Sequence, residues 1–159
     1  MNIEIRRINP VQDSTLIAWC EKQVFAESDR FSPEAWLGYE CFGMYIEEWF
    51  MGIAALREEK FFIAERLSAS SGLFLGSIGI LPDFQNRGFG SILMAWVIAC
   101  AKNKEAPALR SVVRKDNRGS LRLHQKFGFQ IIRQVESYYG NPPSAAFVLE
   151  LVLKPAPPA

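Results

Sequence analysis

The sequence predicts a mixed α/β fold in which helices pack against one main sheet. Segments with strand and helix patterns follow one another as a strand, two helices, a run of strands, a helix, a strand, a helix and two strands. The hydrophobic share of 49% and the charged share of 22% are ordinary for a globular protein. A length of 159 residues suits one domain with a substantial core.

The first half of the chain begins with a strand and two helices. Alternating isoleucines predict a strand over 3–8. Asp13 or Ser14 is predicted to cap a helix that ends near Phe25, and a second helix begins at Ser32-Pro33 and ends near Gly43. Paired strands are expected on either side of Trp49-Phe50, with a further strand and then a turn. These segments cover 44–48, 52–56, 61–67 and 68–72.

The second half alternates strands with helices before it ends in a hairpin. A strand over 73–81 leads into a helix over 88–104, whose apolar residues follow helical spacing. A strand over 109–114 and a helix over 117–127 come next. The predicted hairpin has strands over 131–135 and 146–153, with a long Tyr- and Pro-containing loop between them.

The turn between the strand over 73–81 and the following helix is the most informative segment. Pro82 ends the strand, the polar residues 85–87 form a turn, and Gly88 and Gly90 begin the helix. A helix N-terminus presents backbone N–H groups that lack internal partners, and glycine lets a ligand approach them closely. The segment therefore predicts a phosphate or pyrophosphate site. It lacks the nucleoside-triphosphate loop pattern, and Leu93 stands at the third glycine of the dinucleotide pattern.

Two motifs resemble the GNAT acyltransferase superfamily. Gln85-x-x-Gly88-x-Gly90 resembles the acetyl-CoA pyrophosphate loop of that family. A second segment is similar to the one that follows the fifth strand in GNAT enzymes. Its matching residues are Asn117, Ser120, Leu123, Lys126, Gly128 and Phe129, while His124 stands where the family usually has Tyr. The resemblance covers residues 73–153 well and the N-terminal half only in outline.

The resemblance implies a fold, an activity and a binding site. The fold would be a GNAT-like mixed, mostly antiparallel sheet that is splayed between strands 4 and 5, in one domain over 1–154 with a Pro-rich tail over 155–159. The activity would be acetyl transfer from acetyl-CoA to a primary amine by direct attack. The implied cofactor-binding residues are Ile78, Ile80, Leu81, Gln85, Asn86, Arg87, Gly88, Phe89, Gly90, Ser91, Asn117 and Lys126.

The implied catalytic residues are His124 and Ser120. His124 is the candidate acid for the leaving thiolate, because an imidazole titrates near neutrality. The alternative is a half-exposed helix residue without a role, and Ser120 either assists or only makes room. The general base is open, since the strand over 73–80 contains no acidic residue. The remaining candidates are Glu40, Glu47, Glu65 and Glu136. Each would act as a base through a water molecule, and the alternative is that each is only a surface charge.

The acceptor is also open. Tyr138 and Tyr139 resemble the pair that lines the peptide slot in GNAT enzymes that acetylate protein N-termini, including the ribosomal-protein enzymes. They are equally explained as two β-forming residues at a strand end. Trp36, Trp49 and Phe50 either wall an acceptor cleft or serve packing. The alternatives are therefore a small-molecule amine acetyltransferase and a non-catalytic CoA-binding module.

Composition sets the expected partners and location. A net charge of +1 implies no broad basic surface for nucleic acid, and no apolar run suits a membrane span. Three cysteines without metal-type spacing predict no metal site and fit a reducing, cytoplasmic setting. The first residues carry charges but no apolar core, so no signal peptide is expected. The expected partners are acetyl-CoA and an amine acceptor, for a monomer or a homodimer.

Overall fold

The computed structural model, which describes residues 2–63, 70–139 and 144–154, combines strands with helices. Within these ranges the strands are β1 (Ile3–Ile8), β2 (Glu40–Ile46), β3 (Trp49–Phe61), β4 (Ser70–Ile80), β5 (Ala108–Arg114), β6 (Gln130–Tyr139) and β7 (Ser144–Val152). The α-helices are α1 (Ser14–Val24), α2 (Pro33–Trp36), α3 (Phe89–Asn103) and α4 (Arg118–Lys126). No helix in this part of the chain is long and apolar enough to cross a membrane.

The seven strands form one mixed sheet in the order β1-β2-β3-β4-β5-β7-β6. Neighbours β1 and β2, β2 and β3, β5 and β7, and β7 and β6 are antiparallel. Strands β4 and β5 are parallel, and their pairing runs from Leu73 opposite Leu109 to Leu75 opposite Ser111. The predicted fold class, a mixed and mostly antiparallel sheet with helices, is confirmed.

The chain divides into two compact units, of which the first contains residues up to Arg57 together with Gly76–Met94. Helix α1 forms because apolar residues recur at helical spacing, and it buries Ile17 and Cys20 on one face. An apolar cluster in the first unit is made of Ile8, Ile17, Cys20, Trp36, Cys41, Ile53, Ala55 and Leu81. Burial raises the pKa of the Cys20 thiol to about 12, which keeps it protonated as part of this core.

The second unit contains Glu58–Leu75 and the residues from Ala95 onward. A buried ion pair joins two of its strands, because Arg110 Nε on β5 lies 3.0 Å from Glu150 Oε2 on β7. The Arg110 guanidinium also lies 4.3 Å from the centre of the Phe61 ring and donates to the carbonyl oxygen of Phe62. A single arginine therefore holds the end of β3 against β5 and β7.

The structure corrects the prediction that the second helix continues to near Gly43. Helix α2 ends at Trp36, and β2 begins at Glu40. Residues 41–46 of β2 pair with β1 on one side and with β3 on the other. A central strand position with aromatic and sulfur-containing side chains therefore outweighs the weak helical pattern of these residues.

Four further boundaries differ from the predictions. The turn after β2 lies at Glu47, which has a φ of 51°, and not at Trp49-Phe50, which begin β3. Strand β3 runs on through Phe61 instead of giving way to a new strand, and residues 64–69 lie outside the described residues. Residues 70–72, predicted as part of a turn, belong to β4, and β6 continues to Tyr139. Pairing along long neighbouring strands extends each element past its local sequence signal.

Candidate functional site

The turn from β4 to α3 has the backbone geometry of an anion site. A short 3-10 segment, Pro82–Phe84, follows β4, and Gln85 Nε2 donates to the carbonyl oxygen of Ile80 at 2.8 Å. Asn86 and Gly88 have φ values of 61° and 87°, in the left-handed region that Asn tolerates and Gly favours. The sequence places these two residue types where the chain has to reverse before the helix.

Open space lies above this turn. A Cβ atom added at Gly88 would meet nothing within 4 Å, so a ligand has room to approach the backbone. The Ile92 N–H donates to the Gly88 oxygen at 3.2 Å, and this bond begins the helix. The amides of Phe89 and Gly90 precede it, in the first turn, where a helix provides no internal acceptor. Phe89 is buried and packs edge-to-face on Phe84, with ring centres 6.3 Å apart.

The end of β4 presents its backbone groups in two directions. Leu81 N–H donates to the Met51 oxygen on β3 at 2.7 Å, and the Leu81 oxygen accepts from Phe84 N–H at 2.9 Å. Because backbone groups alternate along a strand, those of Ile78 and Ile80 face the edge opposite to β3. Of the strand residues predicted to bind a cofactor, Leu81 therefore has internal partners for both its backbone groups.

Gly79 is required by packing. A Cβ atom there would lie 2.7 Å from Val24 Cγ1 and 3.0 Å from Phe25 Cζ, which are at the end of α1. The side chains at the end of α1 therefore rest directly on this part of β4. Gly79 therefore makes room for α1, which a side chain at this position would displace.

Helix α4 carries the other predicted binding residues, all in the second unit. Asn117 is its N-cap, and the Asn117 Oδ1 accepts from Ser120 N–H at 3.1 Å. Lys126 is the last residue of α4, exposed, with Nζ 5.9 Å from the Phe127 ring centre. The predicted residues thus fall into two groups. Those over 78–91 belong to the first unit, and those over 117–126 belong to the second.

His124 is completely buried, with 0% of its surface exposed. Its Nδ1 lies 2.7 Å from the backbone oxygen of Ser120 and 3.4 Å from Ser120 Oγ, and its Nε2 lies 2.9 Å from Ser111 Oγ. A carbonyl oxygen only accepts, so Nδ1 carries the proton in the neutral ring. Nε2 then accepts a hydrogen bond from the Ser111 hydroxyl. Burial lowers the pKa of His124 below its ordinary value, which keeps the ring neutral at pH 7.

Ser111 is the residue of this cluster that sequence reasoning missed. It lies in the middle of β5 and is only 3% exposed. A signal was present, because a serine inside an apolar strand needs a hydrogen-bond partner when it is buried. That partner is 13 residues away, and the sequence does not indicate which polar residue meets it.

A buried carboxylate in the first unit was also missed. Glu21 on α1 is 4% exposed, and its two oxygens accept from Trp36 Nε1 at 2.7 Å and from Phe31 N–H at 2.8 Å. Burial raises the pKa of Glu21, and the two hydrogen bonds oppose that rise. Glu21 also lines a cavity of about 190 Å³ between α1 and the segment over 30–36. Its hydrogen bonds hold that segment to α1 where packing is incomplete.

The remaining predicted residues are scattered. The side chains of Tyr138 and Tyr139 lie outside the described residues, although both belong to β6. Trp36 is buried in the first unit, and Trp49 is 74% exposed. Among the candidate bases, Glu65 is outside the described residues. Glu47 and Glu136 are exposed and Glu40 is half-buried.

Known proteins share both the sequence pattern and the fold. Residues 11–129 match the model of the acetyltransferase (GNAT) family. A Drosophila melanogaster protein described as "Probable N-acetyltransferase san" is 27% identical over 88 residues, which are 54% of this chain. The match spans about half of that relative, 48% of its length.

Two solved structures superpose over nearly the whole chain. The ribosomal-protein-S18-alanine N-acetyltransferase from Escherichia coli gives a TM-score of 0.76 at 17% identity, covering 98% of this chain and 97% of that one. Arabidopsis thaliana Naa50, in complex with the bisubstrate analogue CoA-Ac-MVNAL, gives 0.80 at 17% identity, covering 96% and 100%. At these identities the structures establish a common fold.

Proposed function

Because the chain belongs to the GNAT acetyltransferase family, we propose that it transfers an acetyl group from acetyl-CoA to a primary amine. The observation that carries this proposal is the turn between β4 and α3. It combines left-handed Gly88, open space around that residue and the amides of a helix N-terminus. This arrangement suits a pyrophosphate, which is the charged centre of CoA.

Residues on both sides of the turn complete the proposed binding site. The amides of Phe89 and Gly90 would hold the pyrophosphate, and the exposed Arg87 would add a charge-assisted contact. The backbone groups of Ile78 and Ile80, on the edge of β4 opposite to β3, would pair with the amide-bearing arm of CoA. Asn117 uses its oxygen as a helix cap, so its side-chain amide nitrogen is the atom proposed to contact CoA.

The proposed reaction is a direct displacement. The amine nitrogen forms a bond to the thioester carbon, the carbon–sulfur bond breaks, and sulfur leaves with the electron pair. A backbone N–H of β4 would stabilise the charge that develops on the carbonyl oxygen. His124 is proposed to supply the proton to sulfur after its Nε2, which carries no proton in the resting ring, has taken up the proton that the amine releases. The net change moves one proton from the amine to the thiolate.

We further propose a protein N-terminus as the acceptor. The E. coli neighbour is named for an alanine of ribosomal protein S18, and the Arabidopsis neighbour holds an analogue in which CoA is joined to MVNAL. Tyr138 and Tyr139, at the end of β6, support the same acceptor through their resemblance to the pair that lines the peptide slot in GNAT enzymes that acetylate protein N-termini. Free thiol release from acetyl-CoA in the presence of short peptides, and not of polyamines or amino acids, is the expected result. The reverse preference would favour a small-molecule acceptor, and no release with any amine would contradict the catalytic proposal.

The site itself is tested by Gly90→Val. A branched side chain in the first turn of α3 would obstruct an anion at the amides, so we expect acetyl-CoA affinity to fall at least tenfold by calorimetry. Val forms helices at least as well as Gly, so α3 should stay intact. Ala99→Val, at an exposed position of the same helix, is the matched control and should bind normally. Unchanged affinity in folded Gly90→Val would overturn the site.

A further inference from the structure

The cavity of about 190 Å³ between α1 and the segment over 30–36 is lined by residues within 10–36, none of which the proposed acetyl transfer uses. Ile17 and Trp36, which are 2% and 3% exposed, form its floor together with the half-buried Phe31 ring. Ser14 and Ala18 also line it and are exposed, so the cavity is reached from solvent. A cavity of about 150 Å³ takes up benzene, so this one has room for a molecule with a small apolar body.

Glu21 brings a buried carboxylate to this floor. Its two oxygens accept from Trp36 Nε1 and from Phe31 N–H, whereas an ionised carboxylate has about four lone-pair positions. Burial raises the pKa of Glu21 more than these two bonds and the nearby Arg30 charge lower it. A further positive group placed in the cavity would therefore stabilise the ionised carboxylate.

Two cationic side chains line the same cavity. Lys22 is exposed and follows Glu21 on α1, and Arg30 lies in the segment that faces α1. Arg30 Nε donates to the carbonyl oxygen of Phe25 at 3.1 Å, and the terminal nitrogens of a guanidinium carry its remaining N–H donors, which suit a carboxylate. The lining thus combines one negative and two positive groups with apolar side chains. A ligand that complements it carries both signs of charge on an apolar body.

We infer that this cavity binds a free amino acid with an apolar side chain, as a zwitterion. The ammonium group of the amino acid would donate to Glu21, and its carboxylate would accept from Arg30 and Lys22. Its side chain would lie against the apolar floor of the cavity. The amino acid would bind here without being consumed, so its binding requires neither acetyl-CoA nor the residues proposed for acetyl transfer.

The indole N–H of Trp36 reports on the cavity, because it donates to Glu21 at 2.7 Å. The chain has four tryptophans, and Trp36→Phe identifies the Trp36 resonance in a proton–nitrogen NMR spectrum. When leucine, methionine or phenylalanine is added at millimolar concentration to the full chain without acetyl-CoA, we expect the Trp36 resonance to shift and that of the exposed Trp49 to stay. No shift with any of the three amino acids, or equal shifts of all four indole resonances, would overturn the inference.

Two analogues of leucine test the two charges of the ligand separately. Isocaproate keeps the apolar body and the carboxylate but lacks the ammonium group, and leucinamide keeps the ammonium group but lacks the carboxylate. Each loses charge-assisted hydrogen bonds on one side, so each should bind roughly tenfold more weakly than leucine, or weaker still, in the same titration. An analogue that binds as tightly as leucine would overturn the assignment to a zwitterion.

Ala18→Leu places a larger side chain at the mouth of the cavity and leaves both hydrogen bonds of Glu21 in place. Leu forms helices well, so α1 should stay intact, and leucine affinity should fall at least tenfold. Thr15→Leu, at an exposed position of α1 outside the lining, is the matched control and should bind like the wild type. Unchanged leucine affinity in folded Ala18→Leu would overturn the site.

Glu21→Gln removes the charge that the ammonium group would meet and should also lower leucine affinity at least tenfold. It takes an acceptor from Trp36 or Phe31 as well, so a melting curve is recorded beside it, and Ala18→Leu decides the matter if Glu21→Gln does not fold. Peptide-dependent thiol release by Ala18→Leu should equal that of the wild type. Failure of amino acid binding and failure of the proposed acetyl transfer are therefore observed in separate assays.

Discussion

The turn between β4 and α3 and the cluster around His124 are built from different kinds of polar group. The turn works with backbone groups, and its special residues are Asn86 and Gly88, which make a left-handed path possible. The His124 cluster works with side chains that are buried and come from separate elements, Ser111 on β5 and His124 on α4. A backbone site should therefore be sensitive to conformation and space, whereas a buried side-chain site should be sensitive to the identity of each polar atom.

The largest expected effect falls on the side-chain site. His124→Phe keeps the volume of the ring and removes both nitrogens, so turnover at saturating substrate should fall about 100-fold. Acetyl-CoA affinity should stay nearly constant, because in the proposed reaction the imidazole would act mainly in the transition state. His124→Tyr, which restores the usual family residue, should retain part of the activity. If the Phe variant turns over as fast as the wild type, His124 is only a packed polar residue of α4.

The backbone site should respond to a single methyl group. Gly88→Ala meets no atom within 4 Å, so its cost comes from the φ of 87° alone, and unfolding free energy should fall by about 1–2 kcal/mol. Gly88→Asn should lose less, since Asn tolerates this region. Urea denaturation measures both values.

Gly119→Ala is the matched control for that experiment, because Gly119 is an exposed residue in the first turn of α4 without a positive φ. The same methyl group there should leave stability level or raise it by up to about 0.5 kcal/mol, the lower end of the gain for Ala in place of Gly in a helix. A loss of unfolding free energy at Gly88, together with no loss at Gly119, would sharpen the contrast between the turn and a regular helix. A neutral Gly88→Ala would remove the argument that this turn needs glycine.

The same contrast explains what the sequence predicts and what it does not. The turn is readable because its signal is local: Pro82, a polar turn and Gly88 follow one another in the chain. The contact between Ser111 and His124 is not readable, because it depends on how α4 lies against β5. The prediction for the end of α2 was wrong for the same reason, since Glu40 joins β2 by pairing with Leu56 of β3. The local conformation of the turn was predicted, and the tertiary partners of His124 and Glu40 were not.

The smallest expected effect concerns Asn117, whose side chain caps a helix and is also proposed to contact CoA. Asn117 caps α4 with its side-chain oxygen, and its side-chain nitrogen is the proposed donor to CoA. Asn117→Asp keeps an acceptor for Ser120 N–H and adds a negative charge at a helix N-terminus, which the helix dipole favours. The melting temperature should therefore stay level or rise slightly, while acetyl-CoA affinity falls a few-fold because the donor is lost. Asn117→Ala should lose both stability and acetyl-CoA affinity, with about 1 kcal/mol of stability lost because the helix cap is missing. Calorimetry and thermal melts on the two variants decide the role of Asn117, because equal affinity in Asn117→Asp would leave it as a helix cap alone.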